Sequence, residues 1–555
     1  MADPNVEQIL TEQKELEDER QNFEDVIDDI IQYVFPRRTE TDINAEKGTR
    51  HDENVFDTTA LDSHKRLADG LQGQLIASSY KWFGLRMENP MLSDVPAIRQ
   101  WLQTVEEIIY AALNRSNFYR QMHEYFMDAA GFGTATIYSQ LDRKRGRLAF
   151  STRHWKEIYL AQDEYGFIDK VYRKYKWTAR QWVLAFPDAV DAEIKRISEK
   201  TPEQEFECLH VVYPRGERDP NKRDPSAMSW GSQYIDPAHK KSMGVSGYRH
   251  NPYHVWRFYR NSDEVYGRSP AWNCLADVKR INDMVKTAMW AAQMSVRPPL
   301  LVRDDLKNRL RFVPGGMTYE EAQYLQGPSS GVRPIMTGIN YPIEREREEQ
   351  VRQAIRRAFM VDFFSVPEEE RARIKTAYEV RQMREEKSVA LGPTINGLEN
   401  ETLDPLIDRI FDIGMEENWF PPPPSILFEM QGGTSIKVDY IGPLALLQRQ
   451  FFRNQPYRNT LQEMYEIFKI QPATMDVYDW DDWARNIGES NDMPQSSVRD
   501  EKMLTAIRRV RAQREQAQQQ AALLESAGNT ASNLNETKQP NSMLEEVEKM
   551  VGGRV

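Results

Sequence analysis

The chain has 555 residues, with 73 basic side chains against 85 acidic ones and a formal charge of −12. Its 40% hydrophobic content, with 28 Gly and 30 Pro, excludes a collagen-like or wholly disordered chain. No apolar run reaches the ~18 residues of a membrane span. The length suggests several structural units at ~100–200 residues each. The acidic start, MADPNVEQILTEQKELEDER, is unlike a secretory leader. Cys208 and Cys274 alone allow neither a disulfide framework nor a Cys-rich zinc site, and suit a reducing compartment. So acidic a surface repels a polyanion on average, so any nucleic-acid contact is confined to local basic groups.

Residues 1–35 carry apolar side chains at helical spacing, and Pro36 ends the run. After a polar loop, Leu61, Leu67, Leu71 and Leu75 form one helical stripe, with Asp57 or Thr58 as N-cap. Residues 95–130 predict one long helix broken by Gly131 and Gly133. From about 134 to 265 the chain turns β-branched and aromatic, a β-rich insert with a helix near 178–198. Within it, the strand at Leu209–Val212 is expected to pair with YHVWRFYRN (253–261). The Pro-, Ser- and Gly-rich residues 218–250 between them are expected to form a long loop.

Helices return from Pro270, with a stripe of Val278, Ile281, Met284, Val285, Ala288, Met289 and Ala292 ending at Pro298 and Pro299. Residues 300–343 are short and turn-rich. EREREEQVRQAIRRAFMVDFF is strongly helical, and SVPEEERARIK is a charged link. Residues 376–419 give a long helical pattern with breaks at Pro393 and Pro405. PPPP (421–424) excludes helix, and 425–441 predicts two short strands around Gly432-Gly433. Helices are expected at 443–470 and 497–525, and a mobile Gln-, Ala- and Ser-rich tail from about 515. The fold class is α+β, mainly helical.

No GxxxxGK[ST], HExxH or GxSxG occurs. GFGTAT (131–136) fails the dinucleotide fingerprint because Thr136 stands where the last glycine belongs, so it reads as a turn ending a helix. His250 and His254 read as structural histidines. Asp476, Asp479, Asp481 and Asp482 could bind a hard cation and serve a metal-dependent nuclease. Trp480 and Trp483 interleave and the calcium-loop glycine is missing, so acids at the positive end of a helix explain the cluster better. No catalytic residue, cofactor or metal is predicted, and the chain is not read as an enzyme.

The charged run at 344–357 can be a solvated face, or a helix packed against copies of itself with acids and bases meeting across each interface. Its residues are Glu344, Arg345, Glu346, Arg347, Arg352, Arg356 and Arg357. In the link 364–375, Glu368, Glu369 and Glu370 precede Arg371, Arg373 and Lys375. Facing a polyanion, the basic end would touch phosphates while the acids hold them off.

The order of segments resembles the head-to-tail connecting, or portal, protein family of short-tailed bacteriophages. The pieces are FDTTALDSHKRLADGLQGQL with WFGL, YGRSPAWNCLADVKRINDM, RPPLL, TAYEVRQMREEKSVALGPTINGLENETLDPLIDRIFDI with NWFPPPP, YIGPLALLQRQ, and DVYDWDDWARNIGES followed by MPQSSVRDEK. The resemblance covers about residues 1–515. It implies a homo-oligomeric ring of about twelve copies at one capsid vertex, with double-stranded DNA in its channel during packaging and ejection. It implies a wing over 1–269 and 376–442, stem helices at 270–296 and 344–363, and a clip at 297–343 between them. It further implies a tunnel loop at 364–375, a crown at 443–515 and a tail at 516–555. The implied partners are a terminase packaging motor, tail adaptor or nozzle proteins, and major capsid and scaffolding proteins, with no membrane. The implied places are the virion and, during assembly, the host cytoplasm. An acidic wall with sparse bases would let DNA slide, because neutralising many phosphates gives tight, salt-sensitive binding.

Overall fold

A computed structural model describes residues 3–36, 38, 54–89, 92, 95–216, 224–296, 300–302, 332–334, 341–364, 391–425, 427, 436–442, 460, 464, 479–490 and 501–536. The chain divides into two units, Met1–Gln448 and Arg449–Val555.

In the first unit, Asn5 opens helix α1 (Val6–Tyr33) with a reciprocal cap: its side chain accepts from Gln8 N–H, and Gln8 returns to Asn5 N–H. Helix α2 (Thr59–Leu75) turns Leu67, Leu71 and Leu75 into the core. Thr58 holds its N-cap position without a side-chain bond, while Asp57 Oδ1 accepts from Thr59 N–H at 2.9 Å. The expected single helix over 95–130 is two, α3 (Pro96–Arg115) and α4 (Phe118–Phe132). The break falls at Ser116, which is extended and whose hydroxyl accepts from Phe118 N–H. A serine offers the backbone this local alternative to helix. Gly133, at φ +82°, ends α4, as the reading of GFGTAT anticipates.

The β-rich insert forms two antiparallel sheets. One has the order β3-β2-β9, with β2 Thr134–Asp142, β3 Arg147–Arg153 and β9 Tyr253–Arg257. The other runs β4 (Ile158–Gln162), β5 (Ile168–Thr178), β6 (Glu205–Pro214), β7 (Trp230–Asp236), β8 (Lys241–Tyr248). Two expectations are corrected. Leu209–Val212 pairs with β5 and β7, whereas 253–257 pairs with β2. The supposed loop at 218–250 contains the β7–β8 hairpin. Its small residues have packing roles: the Tyr213 ring lies where a Cβ on Gly231 would stand, and Ser232 Oγ meets His210 Nε2 at 2.9 Å. The helix expected near 178–198 is likewise two, α5 (Ala179–Ala185) and α6 (Ala192–Lys200), separated around Pro187.

Both faces of the five-stranded sheet are covered. Ile9 of α1 packs with Tyr159, Tyr172, Leu209, Val211, Tyr213 and Ile235. Trp182 and Ile194, from α5 and α6, cover Tyr175, Cys208 and Met243. Farther along α1, Ile27, Ile30, Ile31 and Val34 join the main core. Thus one helix bridges sheet and body.

Helix α7 (Pro270–Val296) is followed by β10 (Leu300–Val302), which pairs antiparallel with β11 (Val332–Pro334). Helix α8 (Tyr341–Ala358) and the short α9 (Val361–Phe364) follow. Farther on, α10 (Gly392–Leu398) and α11 (Asp404–Glu416) flank a π-turn over Glu399–Leu403. Pro393 and Pro405 sit in the first turns of their helices, where a missing N–H is tolerated. Strand β12 (Ile436–Tyr440) pairs with β1 (Phe83–Met87), Phe83 opposite Tyr440. The other strand of the expected hairpin lies outside the described residues.

In the second unit, α12 (Trp480–Ser490) and α13 (Glu501–Glu536) are described. Helix therefore continues into the stretch expected to be mobile. Gln and Ala are good helix formers, so low complexity did not preclude it. The helices expected at 443–470 lie almost wholly outside the described residues.

Candidate functional site

Helices α7 and α8 pack on one another and bound the excursion 297–340. Ser269 starts α7: its Oγ accepts from Trp272 N–H at 2.9 Å and donates to Gly131 O at 2.7 Å. Ala271, Cys274, Val278 and Ile281 are buried, while Met289, Trp290 and Met294 near the far end are exposed. Helix α8 runs the opposite gradient. Arg345, Glu346 and Arg347 are exposed, and Val351, Ile355 and then Phe359 are buried. Each helix is thus rooted in the body by the end away from the excursion. The β10–β11 pairing brings the outgoing and returning chain together.

The root is locked by polar contacts. Asn282 on α7 is buried, and its Oδ1 accepts from Phe56 N–H at 2.7 Å and Asp57 N–H at 3.1 Å. Arg352 on α8 donates from Nε to Asp57 Oδ2 at 2.9 Å and from Nη2 to Glu348 Oε2 at 3.3 Å, while Nη1 lies 3.9 Å from Glu349 Oε2. Burial pushes the Asp57 carboxyl up, but hydrogen bonds from Thr59 and the Arg352 guanidinium outweigh it and leave it below its ordinary value. Lys286 on α7 lies over the rings of Phe56 and Trp290.

The residues singled out on the charged run divide into two groups. Arg352 is satisfied within its own chain, and Arg356 pairs with Glu349 at 2.9 Å. Arg345, Glu346, Arg347 and Arg357 stand exposed. The side chain of Glu344 lies outside the described residues, as do Glu368, Glu369, Glu370, Arg371, Arg373 and Lys375. Nothing in the sequence signalled the Asp57–Arg352–Asn282 node, because its partners are remote in the chain and each is common on its own.

In the acidic cluster, Asp479 Oδ1 accepts from the N–H groups of Asp481 and Asp482, and Asp481 pairs with Arg508. This is a helix entry, as the sequence reading favours; Asp476 lies outside the described residues. Among the described residues no group of three His, Cys, Asp or Glu is arranged to hold a metal ion. His254 is buried with Nε2 2.9 Å from Ser139 Oγ, and burial drives its pKa well down. His250 faces Asp412 at 2.8 Å, which raises it. Both are structural partners. Burial also pushes the Cys208 and Cys274 thiols up to about 12, so neither is a ready nucleophile.

Residues 6–498 match the family described as "Bacteriophage head to tail connecting protein". Two similar proteins span nearly the full length. The "Probable portal protein" of Bordetella phage BPP-1 is 28% identical over 536 residues, covering 95% of this chain and 94% of its own. The "Portal protein" of Salmonella phage epsilon15 is 26% identical over 550 residues, covering 97% of each. Neither gives the nuclease alternative any support. With nearly the whole chain matched, this protein belongs to the bacteriophage head to tail connecting protein family.

Proposed function

We propose that the chain closes into a homo-oligomeric ring, of about twelve copies, whose axial channel conducts double-stranded DNA into the capsid and out again. The role is mechanical rather than catalytic. The family match over residues 6–498 carries this reading. The two body-rooted helices that bound one excursion support it, because they supply a stem (270–296 and 344–363) and a clip between them (297–343). In this assignment residues 1–269 and 376–442 form the wing, 443–515 the crown and 516–555 a tail. The clip docks a packaging motor of the terminase type and later the tail adaptor or nozzle, while capsid and scaffolding proteins surround the wing. The protein resides at the virion's portal vertex after assembly in the host cytoplasm. No described helix is long and apolar enough to cross a membrane.

In this reading Arg345, Glu346, Arg347 and Arg357, which are exposed, and Glu344 meet neighbouring copies across the stem. Such pairing would offset the repulsion of many chains of charge −12. Loop 364–375 lines the channel, with Arg371, Arg373 and Lys375 near DNA and Glu368, Glu369 and Glu370 preventing a firm grip. Deleting 365–375 tests this: rings should form normally while particles package or retain less DNA. Normal packaging and retention by the deletion variant would refute the loop's role.

A further inference from the structure

The β2–β3 hairpin ends in Asp142-Arg143-Lys144-Arg145-Gly146-Arg147, four bases and one acid on a chain with an excess of acids. Arg143, Lys144, Arg145 and Arg147 are all exposed. The turn is built, not loose. Asp142 Oδ1 accepts from Lys144 N–H at 3.1 Å and Arg145 N–H at 3.3 Å, and Gly146 takes the left-handed φ of +60°. Behind it, Leu148 is buried, and helix α4 braces β3. Asn117 exchanges hydrogen bonds with the Phe150 backbone at 2.9 and 2.8 Å, and Gln121 accepts twice from Thr152 at 2.7 Å, its Oε1 from the N–H and its carbonyl from the hydroxyl.

Elsewhere the same insert pairs its bases: Lys170 with Glu12, Lys174 with Glu17, Arg173 with Glu157. At the tip, Arg145 has among the described residues only Asp142, at 3.5 Å, and its side chain is 70% exposed. Among the described residues, Arg143, Lys144 and Arg147 have no carboxylate within ion-pair distance. The tip also presents no large apolar side chain, the anchor a protein partner would bury.

We propose that this hairpin tip is a contact for the phosphate backbone of duplex DNA. The inference rests on the reading above that DNA is the cargo, but uses residues outside the loop assigned there. A duplex offers one charge per ~1.7 Å, and a short basic run with forked guanidinium groups matches that density without reading bases. A rigid point contact of this size on an otherwise acidic protein gives weak, salt-sensitive binding.

The test measures binding of a random-sequence 40-base-pair duplex to the full-length protein by fluorescence anisotropy from about 50 to 200 mM salt, where counterion release governs affinity. The comparison is with a variant carrying Arg143→Ser, Lys144→Ser, Arg145→Ser and Arg147→Ser. It should bind at least tenfold more weakly and show a salt slope lower by about 3.6, near 0.9 for each of four lost phosphate contacts. A second variant, Arg143→Lys, Arg145→Lys and Arg147→Lys, should retain binding, and matched thermal unfolding shows that the fold survives. Unchanged DNA affinity and slope in the serine variant would overturn the proposal. So would loss of polyglutamate binding with DNA binding intact, which would assign the tip to an acidic protein. Electron microscopy of the same samples separates this from the ring reading: intact rings with unchanged DNA binding discard the hairpin and leave the ring.

Discussion

Arg352 Nε stands 2.9 Å from Asp57 Oδ2, joining α8 to the segment that enters α2 across 295 positions of sequence. Asp57 is 8% exposed, so removing Arg352 strands a buried carboxylate. Arg352→Ala should cost about 2–3 kcal/mol. A double-mutant cycle with Asp57→Asn, read by denaturant unfolding, should show the two changes to be strongly non-additive. Simple additivity would mean that the pair does not hold α8 to the chain entering α2.

Arg20 ties α1 to the insert. Its Nη1 donates to the carbonyls of Trp155, Lys156 and Ile158, and its guanidinium stacks 3.9 Å from the Tyr159 ring centre. Arg20→Ala leaves these acceptors without their donor and should cost about 3 kcal/mol. Arg20→Lys should rescue little, because a point ammonium cannot fill the same fork. Hydrogen exchange should quicken in 6–20 and 158–178 while α2 and α4 stay protected.

Gly133 is a position where the backbone leaves no choice. A Cβ there would lie 2.3 Å from Gly267 O, and φ is +82°. Gly133→Ala should destabilise by more than about 3 kcal/mol, visible as insoluble expression or a much lower Tm. A soluble variant with an unchanged Tm would contradict the packing of α4 on the chain entering α7.

Asp128 is fully buried beside Arg38, whose Nη2 donates to Oδ1 at 2.6 Å. Burial outweighs Arg38 and pushes the carboxyl from 3.8 up to about 6. Protons therefore bind the folded state more tightly than the unfolded one. This group's contribution to stability falls as pH rises from about 4 to 6, by roughly 3 kcal/mol for a shift of this size. Asp128→Asn removes that dependence, so the variant should gain on the wild type in thermal unfolding between pH 4 and pH 7. A constant gap would show that Asp128 titrates normally.

Elements with strong local patterns were legible in the sequence. The stripe of α2, the part of the α7 stripe formed by Val278, Ile281 and Ala288, and the turn at Gly133 follow from spacing and backbone chemistry, whereas Met289 and Ala292, expected on the α7 stripe, are exposed. Partner choice was not, because β6 carries no mark that prefers β7 to β9. The β7–β8 hairpin hid behind Gly231, Ser232 and Gly247, whose smallness suits Tyr213, His210 and the chain at Pro225 rather than a loop. On α8 the charged run was visible, but its division into Arg352, satisfied within the chain, and exposed Arg345 and Arg347 depends on a distant aspartate. The basic run at 143–147 did not stand out among the chain's 73 bases. Its significance needed the structure, which leaves those bases without carboxylates while pairing Lys170 and Lys174.

The ring is examined most directly by negative-stain electron microscopy of the purified full-length protein. End-on views should show one closed rotationally symmetric ring with an open axial hole wide enough for a duplex. Solid particles, or monomers across a range of protein concentrations, would contradict the account.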